Sequence, residues 1–119
     1  MNILIIEDDK VTLMALQSSI QNLGYNVTVA ETAEEAINLN KPHHLILSDM
    51  MMPGISGLSL LESLRTVQQY KSPIIMMSVL NNKSLRDAAF AAGANDFISK
   101  PIAMEELTVM LKKYENFSS

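Results

Sequence analysis

An open parallel α/β sheet of five strands, with helices on both faces, is the fold class this sequence predicts. Three observations carry it. Apolar runs alternate with helix-periodic segments five times along 119 residues. Three runs, Ile3-Leu4-Ile5-Ile6, Leu45-Ile46-Leu47 and Ile74-Ile75-Met76-Met77, are apolar throughout, as strands covered on both faces must be. Charged residues stand just past strand ends: Glu7-Asp8-Asp9 after the first, Asp49 at the end of the third, and Lys100 after the weaker Phe97-Ile98. The carboxyl ends of strands are where such a sheet builds its ligand site.

The elements follow in order. A first strand covers residues 2–7. The next helix carries Leu13, Leu16, Ile20 and Leu23 on one stripe, and Gly24 stops it. Tyr25, Val27 and Val29 alternate with Asn26, Thr28 and Ala30, the pattern of a half-exposed strand. Thr32 and Glu35 form a capping box that opens a short helix with Ala36 and Ile37, and Pro42 closes that unit. The third strand is Leu45–Asp49. The loop Met52-Pro53-Gly54-Ile55-Ser56-Gly57 leads to a helix with Leu61, Leu64 and Val67. Pro73 introduces the fourth strand, Ile74–Ser78. Ser84 is the expected cap of a helix bearing Leu85, Ala88, Ala89 and Ala92, ended by Gly93. The fifth strand is Asp96–Ser99, and Leu107, Met110, Leu111 and Tyr114 keep helical register in the last helix. Strands one, three and four should be central, and two and five should be edges. The order 2-1-3-4-5 satisfies this and sets the ends of strands one and three side by side, so that Asp8, Asp9 and Asp49 converge.

Composition narrows the function. The chain is 48% hydrophobic with 5% aromatics and no tryptophan, so its core is aliphatic, with nine methionines as adaptable filler. A net charge of -4 argues against non-specific nucleic-acid binding. The absence of cysteine excludes disulfides and thiolate metal sites. The N-terminal apolar run is four residues long and is followed by acids, unlike a signal peptide, and no segment reads as a membrane span. A cytoplasmic protein of one domain over residues 1–119, with no output domain, is expected.

Aspartates suit the first turn of a helix, and that explains Asp9. It does not explain Glu7 and Asp8, which extend the acidic run back to the strand. Carboxylates gathered there with Asp49 repel one another, and a divalent cation compensates them. Oxygen-only ligands favour Mg2+ or Mn2+. Asp49 has no helix to cap. Beside a metal, an ionised carboxylate can attack phosphorus and become an aspartyl phosphate. Ser78 is placed to donate to a phosphoryl oxygen, and Lys100 to pair with that group and with Asp49. His43 and His44 are expected as surface turn residues at the other end of the sheet, without chemistry. The methionines at 50–52 and 76–77 are expected as packing.

Taken together, Ile3-Leu4-Ile5-Ile6-Glu7-Asp8-Asp9, Asp49-Met50-Met51-Met52-Pro53-Gly54-Ile55-Ser56-Gly57, Ser78 and Lys100-Pro101 resemble the receiver domain of two-component response regulators, the CheY-like family, over the whole chain. The resemblance implies a flavodoxin-like (βα)5 fold. It implies Asp49 as phosphoacceptor, Asp8 as direct metal ligand, Glu7 acting on the metal through water, and the Met51 backbone carbonyl as a further ligand. It implies Ser78 and Phe97 as switch residues and Lys100 as the phosphate-pairing lysine, its bond to Pro101 commonly cis. The partners it implies are a sensor histidine kinase or phosphotransfer protein as donor and a downstream protein target or output domain. No nucleic acid or membrane is expected to be bound by this chain, and receivers often dimerise when phosphorylated. Such a domain is not a turnover enzyme; it catalyses transfer to its own aspartate and hydrolysis there. Phosphorylation would draw in Ser78 and let Phe97 turn inward, changing the surface of the fourth helix, fifth strand and fifth helix.

Val79 stands where a small residue is usual, and Phe97 lacks a hydroxyl. Both keep a degenerate receiver, acting only as an interaction module, as the alternative. A haloacid-dehalogenase-like phosphatase needs an acid two residues past the nucleophile, where Met51 stands. A flavin binder needs a phosphate loop where Glu7-Asp8-Asp9 would repel the ligand.

Overall fold

Among the described residues, strands and helices alternate as β1 (Asn2–Ile6), α1 (Lys10–Asn22), β2 (Asn26–Ala30), α2 (Ala33–Asn38), β3 (Leu45–Asp49), α3 (Gly57–Thr66), β4 (Ile74–Ser78), α4 (Lys83–Ala91), β5 (Asp96–Ser99) and α5 (Met104–Ser118). The structure, a computed structural model, describes residues 1–39, 41–52 and 54–118. Pro53 of the expected loop lies outside them. All strand pairs are parallel, in the order β2-β1-β3-β4-β5. The continuous apolar strands β1, β3 and β4 are central, because side chains on both their faces must be covered. The half-exposed β2 is an edge, as its alternating pattern requires.

The two-residue period of the strands sorts the core into two layers. Leu4, Ile6, Ile46, Ile74, Met76 and Phe97 pack under α2, α3 and α4. Ile3, Ile5, Leu45, Leu47, Ile75, Met77 and Ile98 pack under α1 and α5, against Leu13, Leu16, Ile20, Leu107, Leu111 and Tyr114. Each such fully buried side chain contributes roughly 1.5–3 kcal/mol over leaving it in water. Two helical stripes are one residue shorter than the periodicity suggests. Leu23 and Val67 are exposed C-cap residues rather than core. The cap of α4 is Asn82, whose side chain accepts from the Leu85 N–H, and not Ser84. Thr32 caps α2 as expected, while Glu35 accepts from the Glu31 N–H, one residue before the cap.

Of the two histidines, His44 is exposed as expected and His43 is not. The His44 side chain meets the chain start, its Nδ1 accepting from the Asn2 N–H at 2.8 Å. His43 is buried, only 3% exposed. The cause is the segment after α3. Tyr70 Oη accepts from the His43 N–H and donates to the His43 carbonyl, which also accepts from Ser72 Oγ. These bonds draw residue 43 beneath residues 70–72. Both ring nitrogens are buried without a hydrogen-bond partner among the described residues.

Burial, and then the charge of Lys41, push the His43 pKa below the ordinary 6.5, so the folded protein holds the ring neutral. The unfolded chain takes up that proton below about pH 6.5, and the stability difference follows the excess of bound protons. The contribution is therefore intact above that pH and is lost as pH falls below it. Urea unfolding at pH 5.5 and 7.5 should show a larger acid loss for wild type than for His43→Phe. At pH 7.5 the variant should be the more stable by roughly 1–3 kcal/mol, because two unsatisfied polar atoms are gone.

Candidate functional site

The parallel sheet brings the ends of β1 and β3 together, Ile6 beside Ser48, and the acids that follow them therefore meet. One carboxylate oxygen each from Glu7, Asp8 and Asp49 lies within 4.8 Å of the others. Asp49 is 4% exposed and Glu7 1%, whereas Asp8 is open to solvent. Lys100, just past β5, reaches across to both buried acids. Its Nζ donates to Glu7 Oε2 at 2.6 Å and lies 3.3 Å from Asp49 Oδ2. The lysine expected to pair with Asp49 is thus held more closely by Glu7.

Burial pushes the Glu7 pKa up, and the Asp49 charge adds to this; the Lys100 bond and the Asp9 N–H oppose it without cancelling it. Burial alone would lower the Lys100 pKa, but its bond to Glu7 and the two negative charges raise it. Three acids facing one ammonium leave a surplus of negative charge, with hard oxygen donors and one open ligand, Asp8. That donor set fits Mg2+ or Mn2+. Asp9 does not join the cluster. It caps α1, its carboxylate accepting from the Thr12 N–H and hydroxyl, and these bonds, the hydroxyl's first, hold its pKa low.

Backbone bonds fix the rest. Lys100 N–H donates to the Ser78 carbonyl and Met50 N–H to the Met77 carbonyl, so the residues after β3 and β5 are both tied to β4. Met51 N–H donates to Asp49 Oδ1 at 3.3 Å, which places Met51 directly beside the acid. The Lys100–Pro101 bond is cis, as the resemblance implied. Ser78 is fully buried, and its Oγ accepts from the Leu80 N–H at 3.0 Å. A hydroxyl whose oxygen already accepts keeps its proton to donate. Phe97 is 7% exposed and packed among the core residues of the α4 face.

The site thus sets acids at the ends of β1 and β3, a hydroxyl at the end of β4 and a lysine just past β5. The pattern of a known family model, the response regulator receiver domain, matches residues 3–112. The chain belongs to that family.

Relatives and solved structures agree. The receiver is 33% identical to the cell cycle transcriptional regulator CtrA of Caulobacter vibrioides, covering 90% of this chain and 47% of that protein. It is 34% identical to the response regulator MprA of Mycobacterium sp. strain KMS, covering 92% and 48%. The chain thus spans about half the length of these curated relatives. The receiver domain of the Francisella response regulator 1452 superposes with a TM-score of 0.92 at 28% identity, over 99% of this chain and 98% of that one. The receiver domain of Saccharomyces cerevisiae Ssk1, co-crystallised with the phosphotransfer protein Ypd1, shares the fold with a TM-score of 0.89 at 22% identity, over 96% and 88%. Receiver domains are signalling modules and not turnover enzymes.

One residue of this receiver site has a role the sequence reading passed over. Gly57 opens α3 and its N–H donates to the Met50 carbonyl. A Cβ there would lie 2.5 Å from Met50 Cα and 2.8 Å from the Asp49 carbonyl oxygen. Both contacts are backbone and cannot yield by a rotamer change. The available signal was its place after Ser56, the cap of α3. Gly57→Ala should cost about 1–3 kcal/mol in urea unfolding. It should also weaken Mg2+ binding, measured by calorimetry, because the chain after Asp49 must move.

Proposed function

We propose that the protein accepts a phosphoryl group on Asp49 from a phosphohistidine donor, with Mg2+, and signals through the resulting change of surface. The observation that carries this reading is the pairing of buried Asp49 with Lys100 inside the Glu7–Asp8–Asp49 group. Asp8 and Asp49 would hold the metal directly, with the Met51 carbonyl; Glu7, occupied by Lys100, would act through water. Bound there, the ion offsets repulsion between the carboxylate and the phosphoryl oxygens.

Asp49 attacks phosphorus as the P–N bond to the donor imidazole breaks, the bonding pair leaving with the nitrogen. Lys100 shifts from Glu7 toward the new phosphoryl oxygens. Ser78 donates its free proton to another of them, which moves the backbone between β4 and α4. Ser78, the segment 79–82 and Phe97 would together carry the switch. Later attack by water on phosphorus releases the Asp49 carboxylate. Positioning and preorganised charge supply most of the catalysis.

The donor must come over the open side of the site. There an apolar groove of about 510 Å³, lined by Val11, Ala15, Val79, Pro101, Ile102 and Met104, abuts Lys100. Val11 is 78% exposed at its edge. A histidine kinase or phosphotransfer protein, of the kind seen with Ssk1, fits this apolar surface. We place this exchange in the cytoplasm. Zero cysteines support this, and no helix among the described residues is long and apolar enough to cross a membrane.

Intact mass after incubation with acetyl phosphate and Mg2+ tests the reading. Wild type should gain one phosphoryl group, and neither Asp49→Ala nor metal-free protein should. No gain by folded, Mg2+-binding wild type from either acetyl phosphate or a phosphorylated histidine phosphotransfer domain would favour the interaction-only receiver. Val11→Glu should reduce transfer from a phosphotransfer domain at least tenfold while leaving acetyl phosphate labelling unchanged. Lys100→Met should lose about 3 kcal/mol of stability without metal, because Glu7 and Asp49 stay buried without their cation. Added Mg2+ should restore more stability to the variant than to wild type in thermal unfolding.

A further inference from the structure

The short second helix leaves a hollow at the pole opposite the phosphoacceptor. α2 has six residues where α1 has thirteen and α3 ten. Between α2 and α3 lies a cavity of about 360 Å³. That is within the usual range for small-molecule sites, roughly 300–1,000 Å³. Its floor is core: Leu4, Ile46 and Leu64, with Ile37 of α2 beside them.

Three features give the hollow a chemical preference. Lys41 and Lys71 line it, and no carboxylate does among the described residues, although the whole chain is acidic. Gln68 and Gln69 add amides. His43 lines it too, with both ring nitrogens buried and without a hydrogen-bond partner among the described residues. Buried polar atoms in native proteins are rarely left so, and each such atom calls for a partner. The lysines of the rim and the histidine of the wall thus ask for different groups on one apolar body.

We propose that this cavity binds a small organic acid with an apolar body and a hydroxyl. The apolar body lies on Leu4, Ile46 and Leu64. The carboxylate meets Lys41 and Lys71, and a turn of the His43 ring brings one nitrogen onto the hydroxyl. The site is independent of the phosphoacceptor reading, since it shares no residue with the acidic cluster.

Titration with 6-hydroxy-2-naphthoate, followed by backbone amide shifts in two-dimensional NMR, tests it. Saturable changes centred on Leu4, Ile46, Leu64 and Tyr70 are expected, with the site around Asp49 silent. Lys71→Glu, an exposed substitution that should not disturb folding, is expected to weaken binding at least tenfold. 2-Naphthoate, lacking the hydroxyl, should bind several-fold more weakly to wild type, and His43→Phe should abolish that difference. Acetyl phosphate labelling of Asp49 should be unchanged in both variants. Absence of saturable shifts up to the solubility of the probe would leave only a hydrated hollow and overturn the proposal. So would an affinity indifferent to Lys71→Glu, or a preference for the hydroxyl that survives in His43→Phe.

Discussion

The ammonium of Lys100, set between Glu7 and Asp49, is the interaction on which the rest of this molecule depends. Two nearly buried carboxylates a few ångströms apart do not coexist without a cation. The lysine supplies it from the far side of the sheet, 93 residues from Glu7 along the chain. Its reach is set by backbone: the Lys100 N–H on the Ser78 carbonyl, and the Met50 N–H on the Met77 carbonyl. Charge and sheet topology are thus mutually required. The topology gathers the acids, and the lysine lets them stay gathered.

The same arrangement explains the site's chemistry. Glu7 holds Lys100 more closely than Asp49 does, at 2.6 Å against 3.3 Å. Asp49 therefore keeps one oxygen lightly engaged, as the attack on phosphorus proposed above requires. The Ser78 oxygen is already occupied by the Leu80 N–H, so its proton is the part left for a ligand. Gly57 lets the start of α3 approach Met50 and the Asp49 carbonyl more closely than any side chain would allow. Phe97 is packed among the core residues of the α4 face. A phenylalanine has no hydroxyl to draw it toward water, so the core retains it.

Much of this was legible in the residues. The apolar runs at 3–6, 45–47 and 74–77 announced central strands because only strands covered on both faces are apolar throughout. Their order followed, and with it the meeting of Glu7, Asp8 and Asp49. The errors have local causes. Leu23 and Val67 fit the helical period but fall on the C-cap, where the chain turns away from the core. Ser84 and Asn82 are both good caps, and the one whose side chain reached the third residue on was Asn82. Asp9 lies next to the cluster in sequence but points into its own helix.

Sequence by itself determined the fold class, the strand order and the identity of the acids and lysine, because periodicity and the strand-end rule are local properties that topology converts into places. Only the tertiary structure decided who holds whom. The preference of Lys100 for Glu7, the closeness of Gly57 to Met50 and the buried Phe97 depend on distances between segments far apart in the chain. The burial of His43 is the plainest case. Two histidines beside a proline read as a surface turn, and it took Tyr70 and Ser72, from the other side of α3, to pull one of them out of water.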